Sequence, residues 1–313
     1  MYDLVIIGGS AAGVAAGIYA ARRNLHFIVV AKDLGGEVAL SGKVNNWPGI
    51  IEIQGFELAK NFRQHLESYQ PDILEGFVVI KLEQKGRTHI VHVRNQAGEE
   101  RQIETKAVIV ASGIHPRQLG VANEEKLRGK GITYCSVCDG PLFKNRITAT
   151  IGAGNSALES ALMMASISKK VYLLTKYAND ETNNGGFPRG ENILIDKIKK
   201  TENIEIIYQA ETQEILGDQF VTGIKYLNLA TKEFKELAVD GIMIHVGMVP
   251  NTDFVSVQKN RGGEIEIDQK CATSVPGIFA AGDATNIPYK QIAVAAGQGT
   301  IAALSAIEYL NKW

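Results

Sequence analysis

The chemistry of this chain is most concentrated at Cys135-Ser136-Val137-Cys138-Asp139. Two cysteines at this spacing on a helical turn share one face and lie close enough to bond. Near a helix start a thiolate is stabilised and becomes a competent nucleophile at neutral pH. Asp139 follows directly, where a carboxylate can move the proton that thiol–disulfide exchange requires. Zinc would need two further ligands. The chain has three cysteines, and both Cys271 and His245 stand isolated, so the pair reads as redox-active and no metal site is expected. Cys271 reads as a small buried hydrophobe, and His245 as structural.

Two glycine turns carry a second kind of chemistry. Gly8-Gly9-Ser10-Ala11-Ala12-Gly13 follows the apolar run Leu4-Val5-Ile6-Ile7, and Gly152-Ala153-Gly154-Asn155-Ser156-Ala157 follows an apolar strand at 147–151. Each turn leads into a helix and then a short strand, at 26–30 and 170–175. Strand, glycine turn, helix, strand opens a dinucleotide-binding fold, in which N–H groups at the helix start hold a pyrophosphate. Gly8 permits the tight bend, and Gly13 lets helix and strand pack closely. Ser10 stands at the usual second glycine, so its side chain must point away from the phosphates. The second turn matches better, because alanine is allowed at the place of Ala157. Neither following strand ends in the acid that binds a ribose hydroxyl. The first ends Val30-Ala31-Lys32, with Asp33 late, and the second Leu174-Thr175-Lys176-Tyr177. Lys176 there favours a 2′-phosphate. Two turns of this kind predict two nucleotides.

The elements that must position these residues follow from pattern. A third apolar strand at 107–111 closes the first unit and leads into Ser112-Gly113. Residues 220–246 alternate and predict antiparallel β structure with a turn near Thr231-Lys232. A strand ends at Gly282-Asp283, and a small-residue helix spans 292–310. The expected fold class is α/β, with two Rossmann-like three-layer domains and the second inserted in the first: 1–117 with 245–313 around 118–244. Residues 179–190 hold Asn183-Asn184-Gly185-Gly186 and Pro188 and form the expected flexible loop.

Whole-chain properties narrow the class. With 313 residues, 45% apolar and 21% charged, the chain is long enough for two cores. A net charge of -1 gives no bulk field toward nucleic acid or an anionic membrane. No apolar run approaches the ~20 residues of a membrane span. A strand begins at once, leaving no room for a signal peptide. A reducing, cytoplasmic address is the default expectation.

Together these residues resemble the low-molecular-weight thioredoxin reductases. The matching motifs are Gly8 to Gly13, Gly35-Gly36-Glu37, Asn46-Trp47-Pro48-Gly49, Ala111-Ser112-Gly113 and Cys135 to Gly140. Further matches are Gly152 to Ala157 with Glu159, Val246-Gly247 with Pro250-Asn251-Thr252, and Gly282-Asp283-Ala284 with Tyr289-Lys290-Gln291. The resemblance implies FAD in the first domain, with Lys32, Val79 and Ile292 among its contacts beside the motif residues. It also implies a homodimer and a thioredoxin-like partner protein. It places Cys138 against the flavin, makes Cys135 the attacker of the partner disulfide and Asp139 the acid–base residue. Asp283 and Gln291 would bind on the flavin side. In this group the inserted domain swings, since nicotinamide and the cysteine pair use one flavin face in turn.

The chain departs from the group where the group binds NADPH. Thr175-Lys176-Tyr177 replaces its His-Arg-Arg run, and Arg189 stands for its later arginine after a longer loop. Glu37 replaces a usual Gln, and Lys290 a usual Arg. The donor is therefore open among NADPH, NADH and ferredoxin. Two other readings also stay open: a dithiol oxidase passing electrons to oxygen, and a non-catalytic redox sensor.

Overall fold

The two apolar runs that lead into the glycine turns become strands of two separate parallel sheets. Each sheet belongs to one of two units, residues 1–115 with 249–313, and residues 116–248. The computed structural model describes residues 1–41 and 43–313, apart from the side chains of Lys43 and Cys138.

In the first unit, Tyr2–Ile7 lies between Phe27–Ala31 and Glu100–Val110 and is parallel to both. Asp72–Glu75 extends the sheet beyond Phe27–Ala31, and Ile278–Ala280 pairs with the last residues of Glu100–Val110. Every residue of Phe27–Ala31 is buried, as a strand covered on both faces must be. The first half of Glu100–Val110 pairs antiparallel with Thr88–Asn95, which pairs with Phe77–Lys85. Alternation then divides the core. Leu4 and Ile6 pack with the helices Ala11–Arg22 and Ile292–Leu310, while Val5 and Ile7 pack with Phe77, Val91 and Val93 of the antiparallel strands.

Those two helices meet at backbone distance, since a Cβ added at Gly299 would lie 2.1 Å from the Ala12 carbonyl oxygen. Small side chains are what permit that approach. Ile292–Leu310 is also long and apolar enough, by length and composition, to cross a membrane. That corrects the expectation that no such run exists. In this fold the helix buries Gln298, Gly299, Ala302, Ala303, Ala306 and Ile307.

The second unit repeats the plan. Its parallel sheet runs Ile132–Thr133, Gly241–Ile244, Ile147–Ile151, Lys170–Leu174, Ile204–Ile207. Helices Asn155–Ala165 and Asn192–Lys200 cover one face. An antiparallel sheet of Ala210–Gly217, Val221–Asn228 and Phe234–Ala238 covers the other. The chain is thus α/β, with two nucleotide-binding-type units and the second inserted in the first.

Two sequence expectations change. Within 220–246 only Val221–Asn228 and Phe234–Ala238 pair antiparallel. Gly241–Ile244 joins the parallel sheet instead; all four of its residues are buried, so it has no solvent face to alternate. The segment 179–190 is not a loose loop. Phe187 is fully buried with Leu158, Leu173 and Ile195. The Thr175 hydroxyl donates to the Gly186 carbonyl at 2.7 Å, and the Asn184 amide to the Gly190 carbonyl at 3.0 Å. Glycine and asparagine here serve tight turns rather than mobility. Phe187→Ala should therefore cost about 3–5 kcal/mol, read as a lowered denaturant midpoint of the second unit. An unchanged midpoint would show that the segment does not anchor the core.

Candidate active site

Both glycine turns are shaped by the same close approach. Gly8 has φ +117°, and a Cβ there would lie 2.1 Å from the Ala111 carbonyl oxygen. Gly152 has φ +152°, and its Cβ would lie 2.2 Å from the His245 carbonyl oxygen. In each unit the chain leaving a neighbouring strand presses its carbonyl onto the first glycine. A Cβ at Gly13 would meet the Gly8 carbonyl oxygen at 1.9 Å, so that helix sits too close for anything larger. The helices that follow, Ala11–Arg22 and Asn155–Ala165, start without a side-chain cap and without an acid in the first turn. Their leading N–H groups have no partner within the helix and make an anion site at the positive end of the dipole.

In the first unit the structure joins several residues that the sequence only suggested. The Ser10 hydroxyl donates to the Gly35 carbonyl at 2.6 Å, turned away from the helix start. The carboxylate of Asp33 accepts from the Gly36 N–H at 2.9 Å. The amide of Asn46 donates to the Gln291 side chain at 3.1 Å, across 245 residues of chain. Ser112 and Asn251 exchange hydrogen bonds, hydroxyl to carbonyl at 2.6 Å and amide to carbonyl at 2.9 Å, which fixes the turn Ala111-Ser112-Gly113. At the end of Phe27–Ala31 an open cavity of 410 Å³ is lined by Lys32, Asp33, Gly76, Asn95, Gln96 and Ala97. Val79 packs inside, against the core beneath the antiparallel strands.

Lys290 is held by the chain around it. Its ammonium donates to the carbonyls of Asp283 at 3.1 Å and Thr285 at 2.5 Å, and pairs with Glu264 at 2.8 Å. All three of its donors are engaged, so it ties down the turn that carries Asp283. Gly282 on that turn donates its N–H to Gln298 at 2.8 Å, and Ile292 opens the following helix. Burial raises the Asp283 carboxyl above the usual range, with Lys290 opposing. Burial also raises Glu37, and the Asp283 charge raises it further.

In the second unit Cys135 is disulfide-bonded and stands just before a one-turn helix, Ser136–Asp139. The Asp139 N–H closes that turn on the Cys135 carbonyl at 3.2 Å. The side chain of Cys138 lies outside the described residues. Thr133 braces both ends of the motif: its hydroxyl oxygen accepts from the Cys135 N–H at 3.0 Å, and its proton goes to the Asp139 carboxylate at 2.5 Å. Tyr134 donates to Glu124 at 2.6 Å, and Glu124 also accepts from the Leu119 and Gly120 N–H groups. Ser136 hydrogen-bonds to Ser160 and, at 3.0 Å, to Nε2 of His245. Thr133, Tyr134, Glu124 and Ser136 carried no signal in the sequence, and the partners of Ser136 lie 24 and 109 residues away. Cys271 is buried and free, and burial pushes its thiol up to about 11.

The second glycine turn is framed by the segment that holds Arg189. The backbone of Arg189 bridges to Gly154, and Asn155 exchanges two 2.8 Å hydrogen bonds with Glu191. Lys176 and Arg189 are exposed, Lys176 over the Tyr177 ring at 5.5 Å. Ser156 and Glu159 are exposed on the following helix, and Ala157 is buried beside Gly152. Among the described residues no cluster suited to a metal ion occurs.

A family model for pyridine nucleotide-disulphide oxidoreductases matches residues 2–299. The chain belongs to that family. It is 37% identical over 313 residues to the F component of the alkyl hydroperoxide reductase of Staphylococcus epidermidis, covering 99% of this chain and 59% of that protein. This chain therefore spans under two thirds of that relative's length. Thioredoxin reductase of Lactococcus lactis superposes with a TM-score of 0.85 at 31% identity, covering all of both chains. The T. acidophilum thioredoxin reductase gives 0.81 at 37% identity, covering 99% of this chain and 98% of that one. These findings make the protein an oxidoreductase of the flavin-dependent disulfide type.

Membership in the family implies FAD and a nicotinamide cofactor, and the residues fit both. Each unit offers an uncapped helix start behind a glycine turn that has no room for a Cβ at its first glycine. The raised carboxyls give a test of the first cradle. A group whose folded pKa lies above its unfolded value contributes stability below the unfolded pKa and loses it as pH rises through the folded one. Flavin-stripped Glu37→Gln protein should therefore melt higher than wild type at pH 8 and no higher at pH 4. A gain at pH 4, or none at pH 8, would contradict the burial of Glu37.

Proposed function

We propose that this protein is an FAD-dependent disulfide reductase that carries two electrons from NADPH to a Cys135–Cys138 disulfide and on to a thioredoxin-like partner. The observation that carries the reading is the disulfide state of Cys135 beside an Asp139 held by Thr133. In this reading the first unit is the FAD domain and the second the nicotinamide domain. Bound FAD supplies the two-electron relay between nicotinamide and disulfide.

The rest is the work of the chain's own residues. With the pair reduced, the Cys135 thiolate attacks the partner's disulfide, forms a mixed disulfide, and expels one partner thiolate, which takes up a proton. The Cys138 thiolate then attacks Cys135, restores the internal disulfide, and releases the second partner thiol. Asp139 delivers and collects the protons, and Thr133 holds its carboxylate by a hydrogen bond. Lys176 and Arg189 favour a 2′-phosphate at the second glycine turn, each contact worth ~1.5–3 kcal/mol when well formed.

A second reading has electrons ending on an alkyl hydroperoxide through a peroxide-reducing partner. What favours it is the 37% identity to the alkyl hydroperoxide reductase component. Turnover with thioredoxin, compared with peroxide-dependent turnover, separates the two.

Cys135→Ser should abolish disulfide reduction while NADPH still bleaches the flavin, followed by stopped-flow absorbance. Robust disulfide turnover by that variant would sink the mechanism. Asp139→Asn should slow exchange by ~10²–10⁴-fold; a mere loss of melting temperature with normal rates would make Asp139 only a helix residue. Wild type should prefer NADPH to NADH modestly, and Lys176→Ala should erase the preference. Flavin reduction by reduced ferredoxin but by neither nucleotide would overturn the nicotinamide assignment.

A further inference from the structure

The redox helix Ser136–Asp139 is a single turn, too short to hold its own place. Its position must come from ties to its neighbours. Thr133 ties its ends, and Ser136 ties the segment between the cysteines. Ser136 is 4% exposed, and its hydroxyl meets two partners, Ser160 on the helix after the second glycine turn and Nε2 of His245 at 3.0 Å. The backbone of His245 is pinned in turn. Its N–H donates to the Ile151 carbonyl at 2.8 Å, and its own carbonyl packs onto Gly152.

We propose that His245 is a positioning residue for the redox pair, fixing the segment between the cysteines through Ser136 and so favouring closure of the Cys135 disulfide. This inference rests on the redox reading of the cysteine pair given above. Burial pushes the His245 pKa down to about 4, so the ring is neutral at physiological pH. A neutral ring can accept at Nε2 while the other nitrogen carries the proton. The chain then satisfies itself in one direction: Ser160 donates to Ser136, and Ser136 donates to His245. With Ser136 so held, the helix start is oriented before the sulfurs meet. That raises the effective concentration of one thiol at the other. Without the imidazole, Ser136 loses one of two partners in a dry site, and the reduced helix samples more orientations.

The test is the equilibrium of the holoprotein with glutathione: one protein disulfide plus two glutathione thiols gives one protein dithiol plus one glutathione disulfide. Quenching with a maleimide of added mass counts the dithiol fraction on a gel. His245→Ala should shift this equilibrium toward the dithiol by about three- to tenfold, the effect of one buried hydrogen bond. That corresponds to a potential ~15–30 mV less reducing. His245→Gln, which can present an acceptor at similar reach, should recover to within about twofold of wild type. Ser136→Ala should give the alanine shift, and combining it with His245→Ala should add nothing further. An unchanged equilibrium in both His245→Ala and Ser136→Ala overturns the proposal, as does failure of Gln to recover it or full additivity of the pair. If the wild-type pair does not exchange with glutathione at all, the redox reading fails and takes this inference with it. Should His245→Ala fail to fold, Ser136→Ala and His245→Gln still decide.

Discussion

A carbonyl pressed onto a glycine is the contact on which both halves of this protein depend. Ala111 meets Gly8 in the first unit and His245 meets Gly152 in the second, with room for no Cβ in either place. The approach bends the chain sharply between the strand and the helix that follows it. The leading N–H groups of that helix form a strong site only if nothing else uses them, and neither helix has a capping side chain. Leaving a helix without an N-cap typically forgoes ~1 kcal/mol. At these two starts a bound anion would offset that loss.

The same logic explains the polar groups collected around the first turn. Glu37 and Asp283 are partly buried, and burial raises both carboxyls. Such groups weaken the unliganded protein at neutral pH. Lys290 limits the cost by tying the Asp283 turn through two donors, and Gln298 takes the Gly282 N–H. Around the second turn the ties run to the redox helix instead. Ser136, Ser160 and His245 connect it to the glycine turn, while Thr133 joins Cys135 to Asp139. A dithiol site needs sulfurs that meet repeatedly in one geometry, and a one-turn helix gains that only from outside itself.

Much of this was legible in the sequence because it is local. The glycine turns, the buried strands beside them, the terminal helix at 292–310 and the Cys-x-x-Cys-Asp run each sit within a short window whose pattern has a direct physical meaning. The misreadings arose where tertiary context decides. Gly241–Ile244 looked like the end of an antiparallel run, yet it is taken into a parallel sheet covered on both faces. The glycines and asparagines near 185 looked loose, yet Phe187 nails that segment into the core. No sequence rule could show that Glu264 and two carbonyls hold the Lys290 ammonium. The link from His245 to Ser136 exists only once strand 241–244 lies beside 147–151.

The central claim is that one chain joins a flavin to a redox-active disulfide that includes Cys135. Its most direct test is an anaerobic dithionite titration of the FAD-loaded protein, followed by flavin absorbance. A flavin and a disulfide in communication should take up about four electrons per chain, and Cys135→Ser about two. Uptake of about two electrons by wild type would mean that the disulfide does not exchange electrons with the flavin, and would contradict the account.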